Sequence, residues 1–147
     1  MSNFQVQGLL LIFSLIFGAS AGAQERPLDG SCGPNSISEK IKHTYDTKSF
    51  YRAKRPEVLE FREKSIKNTR LVPLNHRQEV DNARAEMQRE AAMFPEMYQG
   101  EMYALTIKLN RELLSSINGF WSASALQFKE DIEWTDKCLE FINEKLH

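Results

Sequence analysis

The stretch AAMFPEMYQGEMYAL, residues 91–105, holds three of the five methionines, interleaved with Phe94, Tyr98 and Tyr103. Thioether sulfurs suit Cu(I), and Met93 and Met97 would share a face of an unbroken helix. Pro95 stands between them, and no His or Cys lies nearby to complete a ligand set. Covalent haem is excluded because C-x-x-C-H is absent. For a non-covalent haem, His43 and His76 are the histidines with helix around them. Methionine also fills irregular gaps at helix junctions, and that packing role is the reading favoured for this stretch.

The other reactive side chains form no familiar constellation. His76 and Glu79 reverse the Glu-x-x-His order of di-metal bundles and have no second copy. Carboxylates at Glu86, Glu90, Glu101, Glu112, Glu130 and Asp131 could run acid–base chemistry if one were buried. Their polar neighbours instead suggest solvated helix faces. Nucleophile-elbow, P-loop and dinucleotide fingerprints are missing. The expectation is therefore no catalytic residue, no cofactor-binding residue and no metal ligand, and a protein that does not work by catalysis.

Cys32 and Cys138 are the only cysteines. Their spacing fits no zinc pattern, and a pair near the two ends of an exported chain suggests one disulfide. Export is read from the opening residues. Gly8–Phe17 is an apolar run of signal-peptide length, followed by Ala21-Gly22-Ala23, which fits the A-x-A cleavage rule. The run is short for a bilayer span. A retained anchor is the other reading, since MSNFQVQ carries no Lys or Arg. The expected organisation is a leader at 1–23 and one domain at 24–147, secreted or periplasmic and free of the membrane after cleavage.

Residues 24–77 hold 12 Lys/Arg against 7 Asp/Glu, and residues 78–147 hold 7 against 13. Mutual pairing of the halves accounts for this better than an anionic partner does, and nucleic acid is a poor fit. No N-x-Ser/Thr acceptor is present.

The elements needed to position these residues are helices. A loop at 24–35, rich in Gly and Pro, leads to Ser36-Ile37-Ser38-Glu39, a capping box. Ile37, Ile41 and Tyr45 make one face of the helix it opens. Pro56 suits the first turn of a second helix, Asn75 the cap of a third, and Pro95 ends that one. Gly119 closes a fourth and Ser122 or Ser124 opens the last. That last helix carries the stripe Phe128, Ile132, Thr135, Leu139, Ile142, Leu146, with Trp134, Cys138 and Phe141 beside it. The fold class is all-α: an up-and-down bundle of four to five helices, its N-terminal loop stapled by the disulfide.

The helix near residues 98–118 is apolar on almost every side. Tyr98, Met102, Leu105, Leu109, Leu113 and Ile117 form one face, while Tyr103, Ile107 and Leu114 project elsewhere. Such a helix is either central in the bundle, the favoured reading, or half exposed for a partner. The exposed version makes Tyr103, Ile107 and Leu114 a partner surface, for another protein or for a homodimer. Two functions follow as expectations. The first is a protein-binding inhibitor, immunity-type antidote or regulator. The second is a bundle that binds haem, Cu(I) or lipid through the Met/aromatic region 87–103.

Overall fold

The computed structural model describes residues 24–147; the leader expected at 1–23 lies outside them. Within that range the chain is all-α, without strands. It has a short helix α1 (Ile37–Tyr45), a long helix α2 (Thr47–Met93), a 3₁₀ turn (Pro95–Tyr98) and a second long helix α3 (Gly100–Leu146). Each long helix has 47 residues, about 70 Å of rod at 1.5 Å per residue.

The two long helices form an antiparallel hairpin. Cross-helix pairs show the register: Arg55 Nε donates to Asn143 Oδ1 at 3.2 Å, Arg62 Nε to Asp136 Oδ1 at 2.8 Å, and Trp121 Nε1 to Glu79 Oε2 at 2.7 Å. His76 Nε2 sits 2.6 Å from Asn118 Oδ1. Moving along α2 therefore means moving back along α3. The ion pairs Arg62–Asp136 and Arg26–Asp131 join the basic first half to the acidic second half, as the charge distribution suggested.

The helix count corrects the expectation of four to five. Pro56 and Pro73 lie inside α2, Asn75 opens no helix, and Gly119, Ser122 and Ser124 lie inside α3. The physical reason is the seam. Tyr51, Val58, Ser65 and Val72 are buried at seven-residue steps straight through Pro56 and up to Pro73, beyond which Glu79 and Val80 are half-buried. A proline removes one helical hydrogen bond and crowds the carbonyl four residues back. Packing along a continuous seam outweighs that. Replacing Pro73, which is exposed, with alanine is accordingly expected to raise the unfolding free energy by about 1–3 kcal/mol in urea titrations. An unchanged or lower value would mean that α2 is not continuous there.

Three local signals act as read. The Glu39 amide donates to Ser36 Oγ at 3.2 Å, capping α1, while Glu39 Oε2 accepts from the Asn35 amide at 3.0 Å. Pro95 stops α2, whose last turn closes with the Phe94 amide on the Glu90 carbonyl, 2.8 Å. Cys32 and Cys138 are bonded, with Cα atoms 5.4 Å apart.

Burial is uneven along the rod. At the base, Leu28, Cys32, Phe50, Tyr51, Val58, Phe61, Trp134, Cys138 and Ile142 make the main core. Midway, Val72, Ile117, Trp121 and Phe128 make a second. Toward the turn, Thr106 is the one buried residue of that end among the described residues, and it is polar.

Candidate functional site

Two ends of the hairpin carry the side chains of interest, and they are built differently. At the base, the 24–35 loop is folded onto the helices. Asp29 Oδ1 accepts from the Ser31 amide at 2.9 Å, the Ser31 hydroxyl at 2.7 Å and the Gly33 amide at 2.7 Å. The turn is tight enough that a Cβ on Gly33 would come 2.9 Å from Asp29 Oδ2. Inside it, Cys32 takes φ of 65°, the left-handed region. Leu28 drops into the core, Trp134 Nε1 donates to the Asp29 carbonyl at 3.3 Å, and Tyr51 Oη to the Cys32 carbonyl at 3.4 Å.

Asp131 corrects the expectation that the carboxylates are solvated. It is buried beside the loop and held by Arg26, whose Nε and Nη2 lie 2.9 and 2.8 Å from Oδ1; Gln127 Nε2 donates to the same oxygen at 3.1 Å. The Arg26 guanidinium also stands 5.1 Å from the centre of the Trp134 ring. A buried carboxylate paired this way is a loop anchor, since three donors converge on Oδ1 and offset the water it has lost. Its signal in the sequence was position: Asp131 falls three residues after Phe128 and three before Trp134, on the inward face.

The Asp29 carboxyl lies below the usual aspartate range, chiefly through the Ser31 hydroxyl bond, with the Gly33 and Ser31 amides adding to it against some desolvation. A carboxyl with a depressed folded-state pKa contributes stability that is present above its unfolded pKa of about 4 and is lost as pH falls through the folded value. Urea midpoints should therefore fall below about pH 4 for the natural chain, and Asp29→Asn should flatten that part of the profile. An identical acid limb in the variant would contradict this reading of the turn.

The other end of the hairpin, its tip, spans residues 79–112. It is closed by polar contacts. Thr106 Oγ1 donates to the Met97 carbonyl at 2.7 Å, Asn110 Nδ2 to Tyr98 Oη at 3.1 Å, and Tyr98 Oη to the Met87 carbonyl at 3.4 Å. Glu90 is half-buried, and desolvation, followed by the neighbouring Glu86, raises its carboxyl above the usual glutamate range. Val80 and Ala83 pack toward the mid-rod core, but several larger apolar side chains point away. Met93 is 70% exposed, Leu105 50%, Leu109 40% and Met102 41%, with Phe94 also exposed.

This outcome corrects two expectations. The helix around residues 98–118 is not central: a hairpin gives α3 one long neighbour, which covers one stripe of a wide apolar arc. The Met-rich stretch is not chiefly core, because Met93 and Met102 are exposed while Met87 and Met97 are half-buried. Met93 ends α2 and Met97 sits in the 3₁₀ turn, so they share no continuous helical face. Of the expected partner surface, Tyr103 is 52% exposed, and Ile107 and Leu114 are half-buried on the same flank. Sequence reasoning missed the opposite flank, Met102, Leu105 and Leu109, by placing it inward.

Near the base a further apolar face is open. Ile37, Ile41 and Tyr45, which form one face of α1, are 78%, 53% and 87% exposed. Beside them is a groove of about 500 Å³ between α1 and the start of α2, lined by Ile41, Lys42, Tyr45, Phe50, Ala53 and Lys54 among others. Lys54 ties the two helices together, its Nζ 2.6 Å from Glu39 and 2.9 Å from Glu57.

Among the described residues no set of His, Cys, Asp and Glu side chains is gathered closely enough to hold a metal ion, and no helix is long and apolar enough to cross a membrane. Comparison with protein-family models, with curated proteins and with solved structures finds no match.

Proposed function

We propose that this chain is an exported protein-interaction module: a helical hairpin, pinned at its base, whose tip docks on a protein partner as an inhibitor, an antidote to a toxin or a regulator does, without catalysis. The observation that carries this reading is the inverted build of the tip. Its interior is closed by hydrogen bonds, while Met93, Phe94, Met102, Tyr103, Leu105 and Leu109 face outward. Apolar side chains grouped at one end of a rod leave water on binding, and at about 25 cal/mol per Å² that is the main source of affinity at protein interfaces. Aromatic and Met side chains are also the types enriched in interface centres.

The reading is tested in the compartment that receives the full chain. A photo-reactive amino acid at Tyr103 or Leu105 is expected to yield a discrete protein adduct there. The same probe at Lys67, on the exposed surface of α2, is expected to yield none. Equal labelling from all three positions, or none from the tip, would overturn the proposal.

A further inference from the structure

We infer that the occupant of the tip is a second copy of this chain, laid end for end, so that the tip of each copy covers the α1 face of the other. This deepens the interaction reading above and rests on it. Three observations point to it.

The first is that the molecule has two uncovered apolar faces at opposite ends. One is Ile37, Ile41 and Tyr45 with the adjoining groove; the other is Met102, Leu105 and Leu109 with Met93 and Phe94. A rod with a single such face would need a foreign partner or a tip-to-tip contact. Two faces allow one copy to satisfy another.

The second is that both faces lie on the same side of the hairpin. At 100° per residue, the groove-lining positions of α2, Ser49 to Glu57, are centred about a quarter turn from the seam of Tyr51, Val58 and Ser65. On α3, Met102, Leu105 and Leu109 are centred about a quarter turn, in the same rotational sense, from the seam of Thr106, Leu113 and Ile117. Two antiparallel helices in contact are interchanged by a two-fold axis perpendicular to the plane that contains them. Offsets of the same sense, each within about a third of a turn, therefore fall on one side of that plane. A second copy turned end for end against this side meets both faces at once. The contact closes on itself, as two-fold interfaces do, and does not propagate into a fibre.

The third is charge. On α1, Glu39 is engaged with Lys54, while Lys40 and Lys42 make no ion pair among the described residues. At the tip, Arg89 is engaged with Glu86 and Lys108 with Glu112, while Glu96 and Glu101 make no ion pair among the described residues. Asp46, which also lines the groove, makes no ion pair among the described residues and caps α2 through the Ser49 amide, so the spare charge beside this apolar face is net positive, while beside the other it is negative. Base-to-tip docking joins unlike charges; tip-to-tip docking would join like ones, which disfavours that pairing.

Sedimentation equilibrium of the full chain after export tests this directly. The expected result is a reversible monomer–dimer equilibrium with no larger species, weakened as salt is raised. Ile41→Glu, on α1, and Leu105→Glu, at the tip, should each raise the dimer dissociation constant at least tenfold. Both positions are exposed, so far-UV circular dichroism should stay unchanged. An equimolar mixture of the two variants should associate more tightly than either alone, because a mixed pair keeps one of its two contacts intact.

Monomer at all concentrations would overturn the inference. So would a tip variant that dissociates the pair while the α1 variant does not, or a mass that grows without limit. If the chain stays monomeric yet crosslinks to another protein through Tyr103, the interaction reading stands and the second-copy inference falls. If it is monomeric and crosslinks to nothing, both fall.

Discussion

Replacing Cys32 and Cys138 together with serine is expected to lower the unfolding free energy by about 2–5 kcal/mol. The bridge joins positions 106 residues apart, and closing a loop of that size removes much of the unfolded chain's freedom. The bond also holds down a segment with little regular structure. Leu28 and Cys32 are both buried in the base core, yet they sit on a loop of Gly, Pro, Asp and Ser that has no helix to place it. A serine at position 32 keeps the left-handed backbone, with φ of 65°, and loses the bond that offsets its cost. The same drop should follow addition of reductant to the natural chain, read as a lower urea midpoint. With the bridge open, the amides of Ser31 and Gly33 should exchange hydrogen faster while those at the middle of the hairpin keep their protection. A midpoint indifferent to both reductant and the double serine variant would show that the loop is held by its other contacts alone.

Trp134→Ala is expected to cost about 3–5 kcal/mol, against less than about 0.5 kcal/mol for Leu105→Ala on the same helix. Trp134 is buried, meets Phe61 edge to face with centroids 5.8 Å apart, lies under the Arg26 guanidinium and donates to the loop carbonyl of Asp29. Its truncation opens a cavity and loosens the loop together. Leu105 is half exposed, and truncating it leaves no enclosed void. Chemical denaturation of the two variants side by side measures the gradient. Equal losses would mean that the tip is packed as tightly as the base, and the docking surface would disappear with it.

The elements that were legible in the sequence are those whose signal is local. The Ser36–Glu39 cap, the stop at Pro95 and the buried row of Trp134 and Cys138 each depend on residues within a turn or two of one another. The disulfide was legible because two cysteines in a chain read as exported leave one pairing. The prolines and Gly119 were misread for the opposite reason. A helix breaker reports a local penalty of a few kcal/mol, and whether it breaks depends on what the rest of the helix gains. The steps of seven from Tyr51 to Val72 cross Pro56 and include the polar Ser65, and their burial along one seam is what the structure adds.

The helix count then decided the reading of the tip. With four or five helices, the apolar arc around residues 102–117 has neighbours on every side. With two long ones, Met102, Leu105 and Leu109 have none within the chain. The position of Asp131 on the inward face was legible, but its pairing was out of reach for a different reason. Its partner Arg26 is 105 residues away on the loop, and no periodicity joins them. The α1 face shows the same limit: Ile37, Ile41 and Tyr45 have helical spacing, which states that a face exists and not what it meets.

Oxidative footprinting of the methionines is the most direct test of the claim that the tip is a covered surface in the working protein. Met93 and Met102 should resist oxidation when the chain is in its own compartment at its natural concentration. They should oxidise readily once the pure chain is diluted to monomer, with half-buried Met87 changing least. Equal oxidation of Met93 and Met102 in both settings would mean that nothing sits on the tip, and the account of this protein as an interaction module would be wrong.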